Sequence, residues 1–578
     1  MNQTISNFLN ALDLEEANFR GSLAADNLGL MLRAAINELD WYAYHMVRTS
    51  NPTPEQEEQF YLLQLGVPRL VKLALDVRPS FDVPTVMFRR NQNITSKALR
   101  LVAGIAFVEH GRRVAHAATT GECEVELTVD GTYRFTLPDS LPDGEYYERA
   151  VREHYRSASE DQFQKKLRSR TGKKLGKEVG RVMRDLVHVF ATYFIGYDAD
   201  PLLDEYFFAM AMHQIQLRDG YDTFHYSTRF GGVPFGKYVL AVTFLIACCI
   251  RHQSFAETLV KKHSSIRLED VLTVSAATDG FLDTMREAIN AFGSRYPDYS
   301  AADLDEVRRI FDVLSISRRN TGLLAQPASP LPLMVQCSDH DFIWCNTGAA
   351  SNPMQFLLNS LRHHFPREYD RHQQTREASM QAAIRRVLDE AFAGLTYRDN
   401  IKVRVGGREL TDIDLVVMEE KTGVVLLCQL KHQDLYGADL RSAHNRLNRL
   451  KDQVSHWLKA LDEWTSLAGD SGIRSALRLD RRFPPVRLFR VIVSRHYAFP
   501  LKDVAEGADT TYATWPQFYN AVQLATFDAP RSHSLLDLMT ALKNGEAPGG
   551  VQHHRPEPPT EWNLDNLRFT VGQREGAA

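Results

Sequence analysis

The run from Glu377 to Phe392 carries apolar residues at Met380, Ala383, Ile384, Val387, Leu388, Ala391 and Phe392, the spacing of an amphipathic helix that must lay one face on a core. Three short strand patterns follow it: Ile401–Val405, Asp412–Met418 and Val424–Lys431, with Glu419 to Gly423 as the turn between the last two. Side chains alternate across a strand, so Asp412, Asp414 and Val416 are expected on one face, and Val425, Leu427, Gln429 and Lys431 on one face of the next strand. If these strands pair, Asp414, Gln429 and Lys431 converge at one end of a sheet. A merely solvated face would be polar along its whole length, whereas here the polar groups gather at the ends of otherwise apolar strands. Glu377 precedes Met380 by three residues and Ile384 by seven, which places it on the helix face that points inward. A carboxylate there is costly unless something pairs with it; the plainer alternative is a first-turn acid favoured by the helix dipole.

The order of a helix with Glu377, a strand with Asp414 and a strand with Gln429-Leu430-Lys431 resembles the PD-(D/E)XK nucleases, the restriction-endonuclease-like superfamily. Glutamine in place of the acid resembles the Q-x-K variant of Mrr-type restriction endonucleases. A polar, basic helix pattern over Leu440–Leu461 and a later strand pattern over Val486–Ser494 fit the same order, so the resemblance covers roughly residues 360–530. Two departures stand out. Ile413 occupies the place of the proline, and Gln429 is neutral where many relatives carry a carboxylate. Asp412 competes with Asp414 for the acidic role; Asp414 is preferred because it abuts Leu415-Val416-Val417.

The resemblance implies an α/β restriction-endonuclease-like domain with a central mixed sheet, and Mg²⁺ or Mn²⁺ held by Asp414, the Gln429 side-chain carbonyl and Glu377. Such a cation withdraws charge from phosphorus and lowers the pKa of a bound water, while Lys431 would orient the water and offset transition-state charge. Asp414, Gln429, Lys431 and Glu377 are thus the expected catalytic residues of a phosphodiesterase. Restriction or defence against foreign DNA is the implied setting. The alternatives are a degenerate nuclease fold that binds or scaffolds without cutting, and an RNase of the same fold.

The other segments suggest a multidomain chain with a mainly α N-terminal region. Leu28, Leu30, Leu32, Ile36, Leu39 and Trp41 mark an early helix. Residues 123–137 alternate around Asp130-Gly131, the signature of a hairpin with a two-residue turn. The expected division is a mixed α/β region over 1–144, a mainly helical region over 145–320, a proline-rich linker at 321–333, the nuclease-like domain at 334–544 and a loosely ordered tail at 545–578.

The formal net charge of −4 excludes a uniformly basic coat, but it hides local asymmetry. Between Lys165 and Arg184 nine basic residues face the single acid Glu178. Lys165, Lys166, Arg168, Arg170, Lys173, Lys174 and Lys177 are therefore candidates for phosphate contact, with Arg441, Arg446 and Arg449 as a second, shorter set. Gly172, Gly176 and Gly180 recur every four residues and would allow close approach along a helix. Nucleic acid, most simply DNA, is the expected partner; a homo-oligomer is possible because two strands must be cut.

Gly231 to Lys237 matches a phosphate loop except that Tyr238 stands where a Ser or Thr hydroxyl is needed, so nucleotide binding is not expected. Cys337, His340 and Cys345 lack the spacing of a zinc site and read as ordinary strand cysteines. The apolar run Tyr238–Ile250 is too short to span a bilayer and reads as a buried helix. With six unpatterned cysteines and no signal-like N-terminus, a cytoplasmic protein without membrane contact is expected.

Overall fold

The computed structural model describes residues 3–573 except 25–26, 49–51, 84–89, 120, 122, 138–163, 192–193, 219–223, 326–328, 352, 374, 433–439, 499–500, 503, 506, 527–531, 545–559 and 565. The N-terminal part is built from helices α1 (Gln3–Ser22), α2 (Leu28–Arg48), α3 (Pro54–Val77) and α4 (Gln92–Thr119), then a hairpin of β1 (Glu124–Leu127) and β2 (Tyr133–Leu137). Pro54 starts α3 rather than merely ending α2: Thr53 caps it, in a capping box with Gln56. The β1–β2 turn is longer than the two residues expected. Thr128 N–H donates to the Thr132 carbonyl, and Gly131 alone among the turn residues has positive φ (83°). Closure by one left-handed glycine gives a three-residue connection.

The chain continues through α5 (Arg170–Leu186), a small hairpin β3 (His188–Phe190) and β4 (Phe194–Gly196), α6 (Pro201–Arg218), a tight hairpin β5 (Arg229–Phe230) and β6 (Val233–Pro234), and α7 (Phe235–Lys262). Helix α7 is the apolar run extended. By length and composition it is a candidate membrane span, yet 72% of its most apolar window is buried inside the fold. The phosphate-loop-like turn serves as its start. Lys237 is 3% exposed, and its ammonium donates to Glu306 at 2.5 Å.

Next come β7 (Ser275–Ala277), α8 (Thr278–Gly293), α9 (Leu304–Leu314), β8 (Met334–Gln336), β9 (Asp341–Trp344), α10 (Asn346–Ser351), α11 (Pro353–His364) and α12 (Pro366–His372). One hydrophobic core runs from Leu23 to Tyr369. Neither the division near residue 145 nor the linker at 321–333 therefore separates domains. Leu324 and Leu333 are each 1% exposed within this core, and β9 pairs with both β7 and β8. Pro330 and Pro332 lie just before β8. Asp40 of α2 ties the two sides of that segment together. Its carboxylate accepts from Thr273 Oγ1 (2.7 Å), Thr347 Oγ1 (2.8 Å), Thr347 N–H (2.8 Å) and Asn346 N–H (3.3 Å). Burial pushes this carboxyl up to about 6, against the pull of those donors.

The C-terminal domain begins after Tyr369 with α13 (Thr375–Ala391). A five-stranded mixed sheet follows in the order β10 (Leu395–Val405), β11 (Arg408–Glu419), β12 (Val424–Lys431), β13 (Arg487–Ser494), β14 (Thr510–Thr514). The first three strands are antiparallel, and β13 and β14 run parallel to β12. Helix α14 (Leu440–Ala476), kinked at Gly469, crosses from β12 to β13, as a parallel connection requires. Helices α13, α15 (Trp515–Thr526) and α16 (Leu535–Asn544) pack on one face of the sheet, and α14 packs on the other.

Within the tail expected to be loosely ordered, residues 560–564 and 567–573 form strands. Residues 545–559 lie outside the described residues, but β15 (Thr560–Leu564) and β16 (Leu567–Gln573) form a hairpin, and β16 pairs in parallel with β2. The result is a four-stranded sheet joining the C-terminal hairpin to the β1–β2 hairpin. Phe569 is 0% exposed, with ring centroids 5.4 Å from Phe8 and 4.9 Å from Phe107. Trp562 stacks on His110 at 4.2 Å; burial holds that imidazole down at about 3, so it is a neutral ring near pH 7. Phe569→Ala should cost about 3–5 kcal/mol, as for a large core ring. It should lower the first melting transition, and an unchanged melt would mean the C-terminal hairpin is dispensable.

Candidate active site

The alternation expected along β11 fails at one point. Leu415 and Val417 pack with α13, whereas Ile413, only two residues before Leu415, packs in the core under α14. On β10 the partner strand does the same: Tyr397 belongs to the first core and Ile401 to the second. The inversion falls at Asp414 and at Asn400, whose φ of 49° is the left-handed conformation that asparagine tolerates better than most residues. Asp412, Asp414 and Val416 therefore do not share a face in the simple sense expected.

At the inversion Asp414 is 4% exposed and reaches across to β12. Its Oδ2 accepts from Gln429 Nε2 at 2.5 Å and from Leu430 N–H at 2.6 Å. Gln429 turns its Nε2 to Asp414 and lines a cleft. Gln429 is itself 6% exposed. Val425 and Leu427, on the same side of β12, pack under α14. Lys431 lines the cleft two residues beyond Gln429.

The cleft has a volume of about 420 Å³ and is walled by Thr411, Asp412, Gln429 and Lys431 from the sheet and by Asp452, Gln453, His456 and Trp457 from α14. Trp457 is buried, and its indole N–H donates to the Asp412 carbonyl at 2.8 Å, which pins that turn of α14 to β11. The α14 residues were not singled out from the sequence. Their signal was present as Asp452 and His456 at i, i+4 beside a tryptophan, but periodicity alone does not say which side of a polar helix faces a cleft.

Glu377 lies in the first turn of α13, and its side chain is outside the described residues. Gln381, one turn later on the same helix, is 6% exposed and donates through Nε2 to the Asp414 carbonyl at 2.7 Å and to Asn400 Oδ1 at 3.1 Å. That turn of α13 therefore adjoins the inversion. The structure brings together Asp414 and Gln429 in direct contact, with Lys431 beside them.

The oxygen donors of this end of the sheet suit a hard cation: a carboxylate, a carboxamide carbonyl and, on the cleft walls, Asp412 and Asp452. The Cys428 thiol belongs to the opposite core, and burial pushes its pKa up. Among the described residues no three His, Cys, Asp or Glu side chains gather as a metal cluster.

From Arg170 the basic segment folds as α5, capped by Ser169 Oγ accepting from Gly172 N–H. Lys165, Lys166, Arg168, Arg170, Lys173, Lys174 and Lys177 are all exposed, while Val179 is buried and Leu175, Val182, Met183 and Leu186 lean on the large core. Gly172 serves a close backbone approach, but Gly176 and Gly180 do not. A Cβ at Gly176 or Gly180 would meet nothing within 4 Å, and one at Gly172 would meet only the local backbone at Lys166 and Leu167. In the second basic set Arg449 is exposed and Arg446 half-buried; the Arg441 side chain is outside the described residues. Cys337 and Cys345 are buried at the ends of β8 and β9.

No family model, curated protein or solved structure matches the chain. Its chemistry is read from this geometry.

Because Oδ2 satisfies a strand N–H and a buried amide at once, Asp414 is a structural residue as well as a candidate ligand. Asp414→Ala should destabilise the metal-free protein by about 2–3 kcal/mol, the scale of hydrogen bonds to a charged acceptor. Denaturant unfolding checks this. An unchanged or raised midpoint, the usual result of relieving crowded charge, would contradict it.

Proposed function

We propose that the C-terminal domain is a cation-dependent nuclease of the PD-(D/E)XK type that hydrolyses phosphodiester bonds in DNA. The observation that carries this reading is the Asp414–Gln429 contact across adjacent antiparallel strands, with Lys431 two residues on along β12 and with Gln429 and Lys431 lining the cleft. A five-stranded mixed sheet covered on both faces, entered by a helix bearing Glu377, supports it.

A Mg²⁺ or Mn²⁺ held by Asp414, Gln429 and Glu377 would supply Lewis-acid activation of a phosphate and a water. The chain's own residues supply the rest. Lys431 brings a positive charge to a cleft otherwise lined by two aspartates, and so offsets charge that develops on the phosphoryl oxygens. Trp457 holds the α14 wall at a fixed distance from β11, which keeps the attacking water and the phosphate between two rigid elements. The basic face of α5 gives the N-terminal part a sequence-independent grip on the phosphate backbone. Restriction or defence against foreign DNA is the biological setting that the resemblance suggests.

A second reading has an observation in its favour. Asp414 Oδ2 is already satisfied by two N–H donors, and Gln429 carries no charge, so the pair is stable without a cation. A fold of this kind that binds nucleic acid without cutting would look the same.

Purified protein should degrade plasmid DNA when Mg²⁺ or Mn²⁺ is added. Lys431→Ala should reduce the rate by at least a hundredfold, about 2.7 kcal/mol of transition-state stabilisation. Single-stranded DNA, duplex DNA and RNA run in parallel identify the substrate; cleavage of RNA alone makes it an RNase, and no cleavage of any favours the binding protein. Replacing Lys173, Lys174 and Lys177 together by Glu should weaken duplex binding and reduce the steepness of its salt dependence. An unchanged salt slope would exclude α5 from the interface.

A further inference from the structure

We infer that Gln381, which the sequence motif does not include, is a positioning residue for the cation site, acting through Asn400 and the backbone of Asp414. The inference rests on the reading of this end of the sheet as a cation site, but not on cleavage.

The argument begins from the inversion. For Asp414 to reach Gln429 and Leu430 on β12, β11 must change the face it presents between Ile413 and Leu415, and β10 must follow it at Asn400. Such a double change leaves backbone groups off the regular ladder: the Asn400–Asp414 step is passed over between the pairs Asp399–Leu415 and Ile401–Ile413. A buried carbonyl without a partner costs about 1–3 kcal/mol. Gln381 removes that cost for Asp414, donating to its carbonyl at 2.7 Å, and the same amide nitrogen donates to Asn400 Oδ1 at 3.1 Å. One 6%-exposed carboxamide thus holds both strands at the point where they invert.

The effect passes in a chain of contacts. Gln381 fixes the Asp414 backbone, Asp414 Oδ2 fixes Gln429 Nε2, and that contact sets the amide orientation of Gln429, a residue of the cleft wall. A carboxamide oxygen is a weaker ligand than a carboxylate, so its value to a hard cation depends on being held in place. The position of Gln381 matters for the same reason. It lies four residues after Glu377, and that spacing puts the two positions on one face of the helix.

The test is Mn²⁺ binding to the full-length protein, followed by the electron paramagnetic resonance signal of free Mn²⁺, with kcat and KM on DNA measured alongside. Gln381→Leu keeps the side-chain bulk but donates nothing. It should weaken Mn²⁺ binding at least tenfold, in the range for losing an outer partner of a ligand, and lower kcat with KM for DNA nearly unchanged. Asn400→Gly keeps positive φ without strain and removes only the side-chain acceptor; it should weaken Mn²⁺ binding by a smaller factor, and it decides the matter if Gln381→Leu does not fold. Mn²⁺ affinity within twofold of wild type in both folded variants overturns the inference, as does a wild type that binds no Mn²⁺. Weakened Mn²⁺ binding in a protein that cuts no nucleic acid leaves the inference standing and removes the nuclease reading. Cleavage with unaltered Mn²⁺ affinity in both variants does the reverse.

Discussion

The carboxylate of Asp414 is the point on which the C-terminal domain turns. It joins β11 to β12 outside the regular ladder, through one side-chain and one backbone N–H, and its own carbonyl is held from α13 by Gln381. A buried charge of this kind is tolerated because its partners are in place before any ligand arrives. The same bonds that offset its desolvation also orient Gln429. Stability and the candidate chemistry are therefore coupled in one side chain, and a substitution there tests both.

Asp40 plays a comparable part in the N-terminal body without any sign of chemistry. It gathers Thr273, Asn346 and Thr347 onto α2, across more than 300 residues of sequence. That contact, with the apolar core that surrounds α7, explains why a segment with the composition of a linker is not one. Prolines mark where elements end, but whether a boundary follows depends on what the flanking residues bury, and Leu324 and Leu333 are buried in the same core.

The N-terminal body offers two features that bear on function. Helix α5 separates its charges from its apolar residues cleanly, so six basic side chains face solvent while the helix is held by its other side. The hairpin of β15 and β16 closes the sheet that β1 and β2 begin and fills a pocket of aromatic rings around Phe8 and His110. Its alternation, Trp562 and Leu564 followed by Leu567, Phe569 and Val571, was legible in the sequence but masked by the proline- and glycine-rich stretch before it.

The sequence by itself determined the elements whose patterns are local: the helix after residue 375, the three strands that follow, the buried apolar helix and the hairpin at Asp130-Gly131. It also determined that Asp414 and Gln429 could lie near one another, because two adjacent strands with a short turn have few ways to pair. Only the tertiary structure decided the rest. Strict alternation cannot foresee an inversion that depends on Asn400 in the partner strand and on Gln381 in a helix. The period of α14 does not say which of its polar residues meet a cleft. Parallel pairing of β16 with β2 joins positions more than 400 residues apart, and no local pattern encodes a partner at that distance. Local spacing sets what each segment can form; burial and the satisfaction of polar groups, which involve the whole chain, set where it goes.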